Sequence, residues 1–322
     1  MMPLVSAIIP TIRRPERVLR AVRSVQAQTW ANLEIVVVID GPDAATQRAL
    51  AGVDDVRLRV IVNPSPAGAG EARNIGARAA AGEWLAFLDD DDEWLPEKLA
   101  TQLDGLSPDA DVLVSCRCRV ETPEAAHEWP RRLYDGGEAV DEYLFRRRSL
   151  VRGEAYLATP TFVLPARLFA RAGGFGTTQQ NEDTMLLLRV TRRCGGRVMM
   201  RPEILAVIHA DPADSLGTHF DWRRAFSWLT GEAQAMMSAR GIAGYCLVTL
   251  ASQAARTGDR AAIPVLVRHA FRHGRPTVLQ LVTFAGFWLA RGRVRHGLKV
   301  ATSRCLRSFR GRPDPARRRQ GR

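Results

Sequence analysis

The sequence predicts an α/β protein with a basic helical extension at its C-terminal end. Three observations carry the expectation. Short β-branched runs alternate with helix-period segments over the first hundred residues, turn-forming or acidic residues close those runs, and the charge is unevenly divided along the chain. With 322 residues, 46 % hydrophobic and 25 % charged, the chain can bury one large core with an extension or two smaller ones, and wholesale disorder is excluded.

Val5-Ser6-Ala7-Ile8-Ile9-Pro10 reads as a strand ended by proline, and Pro15 to Gln28 follows with Val18, Leu19, Val22 and Val25 at helical spacing. Leu33 to Ile39 is nearly continuous in apolar residues, as a strand covered on both faces would be, and Asp40-Gly41-Pro42-Asp43 breaks it. Ala44 to Ala51 is expected as a helix, Arg57 to Val62 as a third strand, Gly70 to Ala81 as an alanine-rich helix, and Trp84 to Leu88 as a fourth strand running into Asp89-Asp90-Asp91-Asp92. This alternation implies a mainly parallel sheet, in which ligands bind beyond the carboxyl ends of the strands. Pro10, Thr11, Asp40 and Asp89 to Asp92 all fall there. Further on, Pro96 to Leu103 reads as a helix, Asp111 to Val120 and Thr161 to Leu164 as strands, and Asp183 to Arg193 as a helix.

The net charge of +12 resides in the extension. Before residue 260 there are 30 basic against 33 acidic residues; from Arg260 on there are 16 against one. A region so basic attracts polyanions, either nucleic-acid phosphate or anionic lipid. No strand interleaves basic residues with aromatics, so nucleic acid is not the expected partner. Pro276 to Ala290 is uncharged, shorter than a spanning helix needs, and flanked by arginines. Two readings stand: an interfacial helix on an anionic membrane surface, or a helical subdomain packed on the body. The five cysteines are too few and too irregular for a disulfide scaffold, and the N-terminus enters strand-like sequence without a basic leader. A cytoplasmic protein is expected, at most peripheral at the inner face of the cell membrane.

Four adjacent carboxylates beside an apolar strand are costly to bury without compensation. Mg²⁺ or Mn²⁺ held by one or two of them, with substrate phosphate completing its shell, would supply it; the alternative is a solvated acidic turn capping the next helix. Asn63 to Gly76 (NPSPAGAGEARNIG) brings glycines ahead of a helix, where backbone can approach a ligand and Arg73 can reach phosphate or orient an acid. It is neither a P-loop nor a dinucleotide fingerprint, and an ordinary turn would also fit. Glu182 and Asp183 open a helix, either as an N-terminal cap or as a general base facing a hydroxyl. His209 follows a strand-like run and suits a metal or pyrophosphate shell, or a hydrogen-bonded structural role. Cys116 and Cys118 share a strand face and are expected in the core.

In their order, VSAIIPTIRRPERVLRAVRSVQAQTW, LEIVVVIDGPDAAT, AGAGEARNIGARAAAGEWLAFLDDDDEWLPEKL and GGFGTTQQNEDTMLLLRVTRRCG resemble the family 2 glycosyltransferases over about residues 4 to 210. The resemblance implies the Rossmann-like GT-A fold, a nucleotide-diphosphate sugar donor, a divalent cation (Mn²⁺ or Mg²⁺) and inversion at the anomeric carbon. It places the nucleoside at Thr11, Asp40, Arg73 and Asp89, the metal at Asp91, and the catalytic base at Asp183 with Glu182 beside it; Pro10 and Asp90 on the donor and His209 on the metal complete the expected site. Where many members carry two aspartates and Gly-Ser after the second strand, this chain has Ile39-Asp40-Gly41-Pro42. The Gln-x-x-Arg-Trp motif of processive synthases is absent, which predicts transfer of one sugar to a saccharide, lipid-linked or other hydroxyl acceptor in glycan synthesis at the cell envelope.

The expected organisation is a catalytic domain over residues 1–218, a basic helical region over 219–310 and a disordered tail over 311–322. Two other functions compete. A nucleotidyltransferase would show glycines and basic residues just after the first strand, where this chain has no glycine. A catalytically inactive protein binding nucleotide-sugar or polyanion would not need Asp89, Asp91 and Asp183 intact.

Overall fold

The computed structural model describes residues 2–151, 153–176, 180–210 and 220–289. The first half alternates as expected: β1 (Val5–Thr11), α1 (Pro15–Gln26), β2 (Leu33–Asp40), α2 (Ala44–Ala51), β3 (Leu58–Asn63), α3 (Ala69–Ala79) and β4 (Trp84–Phe87). β1 and β2 are buried along almost their whole length, which is why they read as unbroken apolar runs. β3, at the sheet edge, is the half-exposed strand. α1 starts on Pro15 with Glu16 in its first turn and buries Val18, Ala21, Val22 and Val25.

There follow β5 (Glu93–Trp94), α4 (Lys98–Leu103), β6 (Val112–Thr122), β7 (Ala125–Trp129), α5 (Val140–Phe145), β8 (Val163–Pro165), α6 (Ala166–Ala172), α7 (Glu182–Leu188) and β9 (Arg197–His209). The strand order is β3-β2-β1-β4-β8-β6-β9-β5, with β7 paired to β6. β3, β2, β1 and β4 are parallel. β8 runs antiparallel to both β4 and β6, and β9 parallel to β6, so the sheet is mixed where a mainly parallel one is expected from sequence. Thr161, expected in a strand, sits instead in a 3-10 turn over Thr159–Thr161, because Pro160 has no N–H to give a ladder. The order 3-2-1-4 reverses direction at β1, and in such sheets the carboxyl ends at that point are where a ligand crevice is expected.

Successive β1 residues face opposite layers. Ile8 enters one core with Val36, Phe87 and Leu113, while Val5, Ala7 and Ile9 enter the other with α1 and Leu99 of α4. Cys116 and Cys118 are buried in β6, and burial pushes the Cys116 thiol up to about 12.

The extension forms α8 (Trp222–Trp228), α9 (Gln234–Met236), α10 (Ala239–Gly244), α11 (Ala251–Thr257), α12 (Ala262–His273) and α13 (Val278–Leu289), with π-helical turns at Leu229–Ala233 and Tyr245–Leu250. It packs on the body: Trp228, Leu229, Tyr245, Leu247 and Leu250 share one core with Ile8, Phe87 and the α7 residues Met185 to Leu188. No helix among the described residues is long and apolar enough to cross a membrane. The expected boundary at 218/219 and the tail from 311 lie outside the described residues.

Candidate active site

The Thr11 hydroxyl at the end of β1 donates to Asp90 Oδ2 at 2.7 Å, across the point where the strand order reverses. The Asp92 N–H donates to the Asp89 carbonyl at 3.1 Å, so the acidic run folds back on itself. Asp90 and Asp92 are 6 % and 4 % exposed, which excludes the solvated turn. α4 moreover begins without a side-chain cap.

Burial on this scale requires counter-charge. Arg14 lies 3.1 Å from Asp90 and 3.2 Å from Asp91, Arg17 is 3.8 Å from Asp91, and Arg20 is 3.3 Å from Glu93. Arg20 also donates to the Asp91 carbonyl at 2.6 Å. The three arginines recur every third residue at the start of α1 and along it, so one basic face meets the acidic run. Their spacing opposite five consecutive acids is a signal in the sequence that the motif reading passes over. Burial pushes the Asp90 carboxyl up to about 6, against the hydrogen bond from Thr11 and the charge of Arg14. Burial and then the neighbouring Asp89 raise Asp91 as well.

Arg73, 6 % exposed in α3, joins the two acidic motifs. Its guanidinium pairs with Asp89 through Nη2 and with Glu182 through Nη1, the latter at 3.2 Å. It lies 5.2 Å from the centroid of the Phe175 ring, which also stands edge-on to Phe87. Phe175 is held like a strand residue: its N–H donates to Asn74 Oδ1 at 2.9 Å, and Asn74 Nδ2 donates back to its carbonyl at 3.2 Å. Neither Asn74 nor Phe175 stands out as functional in the sequence.

Glu182 and Asp183 open α7 after Asn181, whose φ of +61° is left-handed. The Asn181 side chain does not cap the helix; its Oδ1 accepts from the Tyr245 hydroxyl at 2.8 Å. Tyr245, fully buried in the extension, thereby reaches the turn that presents both acids. Burial pushes Glu182 up to about 7, against Arg73. Asp183 is raised by burial too, against the Thr184 N–H that donates to its Oδ1 at 2.6 Å and the charge of Arg73. Glu182 is therefore poised to exchange a proton near neutral pH, and Asp183 is shifted in the same direction.

Asp40, 5 % exposed, accepts from Asn63 Nδ2 at 2.8 Å, from the Ala67 N–H and from the Gly68 N–H at 2.8 Å. Its carboxylate fixes the loop that leads into α3. Pro10 is buried within β1, paired in register with Val38.

The implied divalent cation finds one suitable carboxylate. Asp91 is half-buried, and among the described residues no three His, Cys, Asp or Glu side chains are grouped to hold a metal. A hard cation on Asp91 would draw its remaining ligands from substrate and water, as Mg²⁺ commonly does. His209 has other partners: its Nε2 lies 2.8 Å from Glu93 and its Nδ1 3.6 Å from Glu121, while its N–H donates to Asp92 at 2.9 Å. The structure thus supports the hydrogen-bonded structural role for His209 and gives no support to a metal shell.

The model of glycosyl transferase family 2 matches residues 6–172, which carry β1 through α6 and with them the acidic run and Arg73. The chain belongs to glycosyl transferase family 2. Among curated relatives, it is 35 % identical over 100 residues to the UDP-Glc:alpha-D-GlcNAc-diphosphoundecaprenol beta-1,3-glucosyltransferase WfgD of Escherichia coli, covering 31 % of this chain and 40 % of that one. It is 36 % identical over 103 residues to the GalNAc(5)-diNAcBac-PP-undecaprenol beta-1,3-glucosyltransferase of Campylobacter jejuni, covering 31 % of this chain and 33 % of the relative. The matched stretch thus spans less than half the length of either. In fold it is similar to S. aureus TarS 1-349, solved in complex with UDP-GlcNAc, with a TM-score of 0.58 at 15 % identity, over 84 % of this chain and 81 % of that one. This agreement in fold bears out the family's α/β architecture.

Proposed function

We propose that this member of the family transfers one sugar from a nucleotide-diphosphate donor to a hydroxyl acceptor, with inversion at the anomeric carbon. The observation that carries the reading is the convergence on Arg73. Asp89 and Glu182, 93 residues apart, meet on one buried guanidinium at the crevice between β1 and β4. Thr11, Asp89 and Asp90 line the donor side, and Asp183 opens the acceptor side.

Asp183 takes the proton from the acceptor hydroxyl as that oxygen attacks the anomeric carbon from the face opposite the diphosphate. Arg73 keeps Glu182 and Asp89 in place, so that the base and the donor-binding carboxylate hold fixed positions. Asp91 is the residue that would hold Mn²⁺ or Mg²⁺. Such a cation, when bound, offsets the negative charge of the departing diphosphate.

The UDP-Glc donor of the E. coli relative supports a UDP-hexose donor, and the undecaprenol-linked acceptors of both relatives support a lipid-linked saccharide acceptor and a role in cell-envelope glycan synthesis. The complex of the structural neighbour with UDP-GlcNAc is consistent with a uridine donor.

The test is a thermal-shift and hydrolysis panel of UDP-, GDP-, dTDP- and CMP-sugars, each with Mn²⁺, Mg²⁺ or EDTA. One nucleotide should raise the melting temperature only with metal, and Asp183→Asn should retain that shift while losing transfer at least about a thousandfold. Absence of any shift in the folded protein would overturn the reading. A metal-independent shift would remove the cation from it, and loss of donor binding in Asp183→Asn would remove the base.

A further inference from the structure

Amphipathic helices on a protein body turn their apolar side inward, and α13 carries apolar side chains on its outward side as well. Its buried residues are Gln280 and Thr283. Gln280 Oε1 accepts from the Thr277 N–H at 2.8 Å and the Thr283 hydroxyl donates to the Leu279 carbonyl at 2.7 Å, while Gln280 Nε2 is buried without a partner among the described residues. Val278, Leu281, Val282 and Leu289 are 78 %, 37 %, 58 % and 80 % exposed. Positions 278, 281, 282 and 289 lie within one stripe at helical spacing, and no charge interrupts it. Phe284, Phe287 and Trp288 pack against the shared core and fix the helix on the body.

α12, joined to α13 through residues 274–277, packs on the same Tyr245–Thr257 segment. Val265 and Phe271 are 39 % and 58 % exposed, and Arg268, Arg272 and Arg275 are exposed beside them. No acidic residue occurs between Arg260 and Leu289. An exposed apolar stripe in a segment whose charges are all cationic matches one environment in both respects: the interface of an anionic lipid bilayer, apolar beneath and negatively charged at its surface. A protein partner with an apolar groove would satisfy the stripe but give no reason for a segment without a single acid.

We propose that α12 and α13 form a membrane-docking face, with Val278, Leu281, Val282 and Leu289 entering the acyl boundary and Arg268, Arg272 and Arg275 meeting lipid phosphates. The two readings of the extension are then both realised: it packs on the body through one side and presents lipid-binding side chains on the other. This face is independent of the chemistry at Asp183 and holds whatever the crevice binds.

The experiment is sedimentation of the full chain with vesicles of phosphatidylcholine alone or of equal parts phosphatidylcholine and phosphatidylglycerol, at low and high salt. The wild type should sediment with the anionic vesicles, less so at high salt. Val278→Glu/Val282→Glu, at exposed sites, should weaken sedimentation by at least roughly tenfold with an unchanged melting temperature. Arg268→Ala/Arg272→Ala/Arg275→Ala should lose the preference for phosphatidylglycerol. Undiminished sedimentation of the Val278→Glu/Val282→Glu protein would overturn the proposal, since any binding would then arise outside the stripe. So would failure of the wild type to sediment, or a dimer in light scattering that the same double substitution dissociates.

Discussion

Glu182 and Asp183 are adjacent, yet only Glu182 is paired with a guanidinium. Asp183 instead accepts its own helix's Thr184 N–H, which leaves it the better placed of the two to receive a proton from a hydroxyl. Burial raises both carboxyls, Glu182 to about 7. The acid limb of the kcat/KM profile should therefore lie above the ordinary carboxylate range. Glu182→Gln removes one neighbouring negative charge, so that limb should move to lower pH. A limb that stays in place would separate Glu182 from the titration. A different residue governs stability. Lys98 is fully buried, its Nζ has no hydrogen-bond partner among the described residues, and it stands 4.1 Å from the centroid of the Trp94 ring. Burial lowers the amine from 10.5 to about 7. Between those values the unfolded chain binds a proton that the native protein lacks, so stability rises with pH across that window. Below it both forms are charged and the buried ammonium costs most. Lys98→Met should stabilise the protein by on the order of a few kcal/mol at pH 6 and by progressively less towards pH 10, in urea melts at each pH. An advantage independent of pH would contradict the buried-amine account.

The approach of α3 to α7 depends on a missing side chain. A Cβ on Gly70 would stand 2.8 Å from Glu182 Cδ and 2.9 Å from the Gly176 carbonyl, and the second of these is backbone. Gly70→Ala should therefore separate the helices, disturb Arg73 and lower kcat/KM by about a hundredfold, at a stability cost of about 1–3 kcal/mol. Gly52→Ala is the control: its Cβ would meet only the Ala49 carbonyl at 3.5 Å, in ordinary contact, and activity should be unchanged. Near-wild-type activity of Gly70→Ala would show that the close approach is not required. The glycine motif before α3 is plain in the sequence, because glycines cluster ahead of a helix. The reason for Gly70 is not, because it lies in a contact with a residue more than a hundred positions away. Asn74 and Phe175 are hidden for the same cause: an amide that imitates a strand partner has no local pattern. The arginines of α1 were open to reading, since Arg14, Arg17 and Arg20 repeat at helical spacing, but an isolated basic face ordinarily points to solvent.

At the scale of the whole molecule, the half built from β1 to β4 is legible because buried parallel strands write themselves as apolar runs, as Leu33 to Ile39 does. The half around β6, β8 and β9 depends on pairings between distant segments, such as Val114 with both Val163 and Met199, and their sense cannot be read from period alone. The extension is obscured for another reason: its excess charge, concentrated from Arg260 on, gives no sign of Trp228, Tyr245 and Leu250, which are core residues. Because those three pack in the same core as Met185 to Leu188, the extension and the acidic end of α7 should unfold together. The Tyr245–Asn181 hydrogen bond ties that core directly to the turn before Glu182. A chain ending at residue 218 would expose the apolar face of α7 and release Asn181 from Tyr245. It should lose cooperative melting and near-ultraviolet circular dichroism, while the full chain should melt in one calorimetric transition. If the shorter chain instead melts cooperatively and keeps the donor-dependent shift, the shared core is dispensable and residues 1–218 are a self-sufficient domain. Tyr245→Phe separates the two contributions, since it keeps the ring in the core and removes only the hydrogen bond. A stability loss of about 1 kcal/mol, with a fall in kcat larger than the change in KM, would assign the extension a part in presenting Asp183.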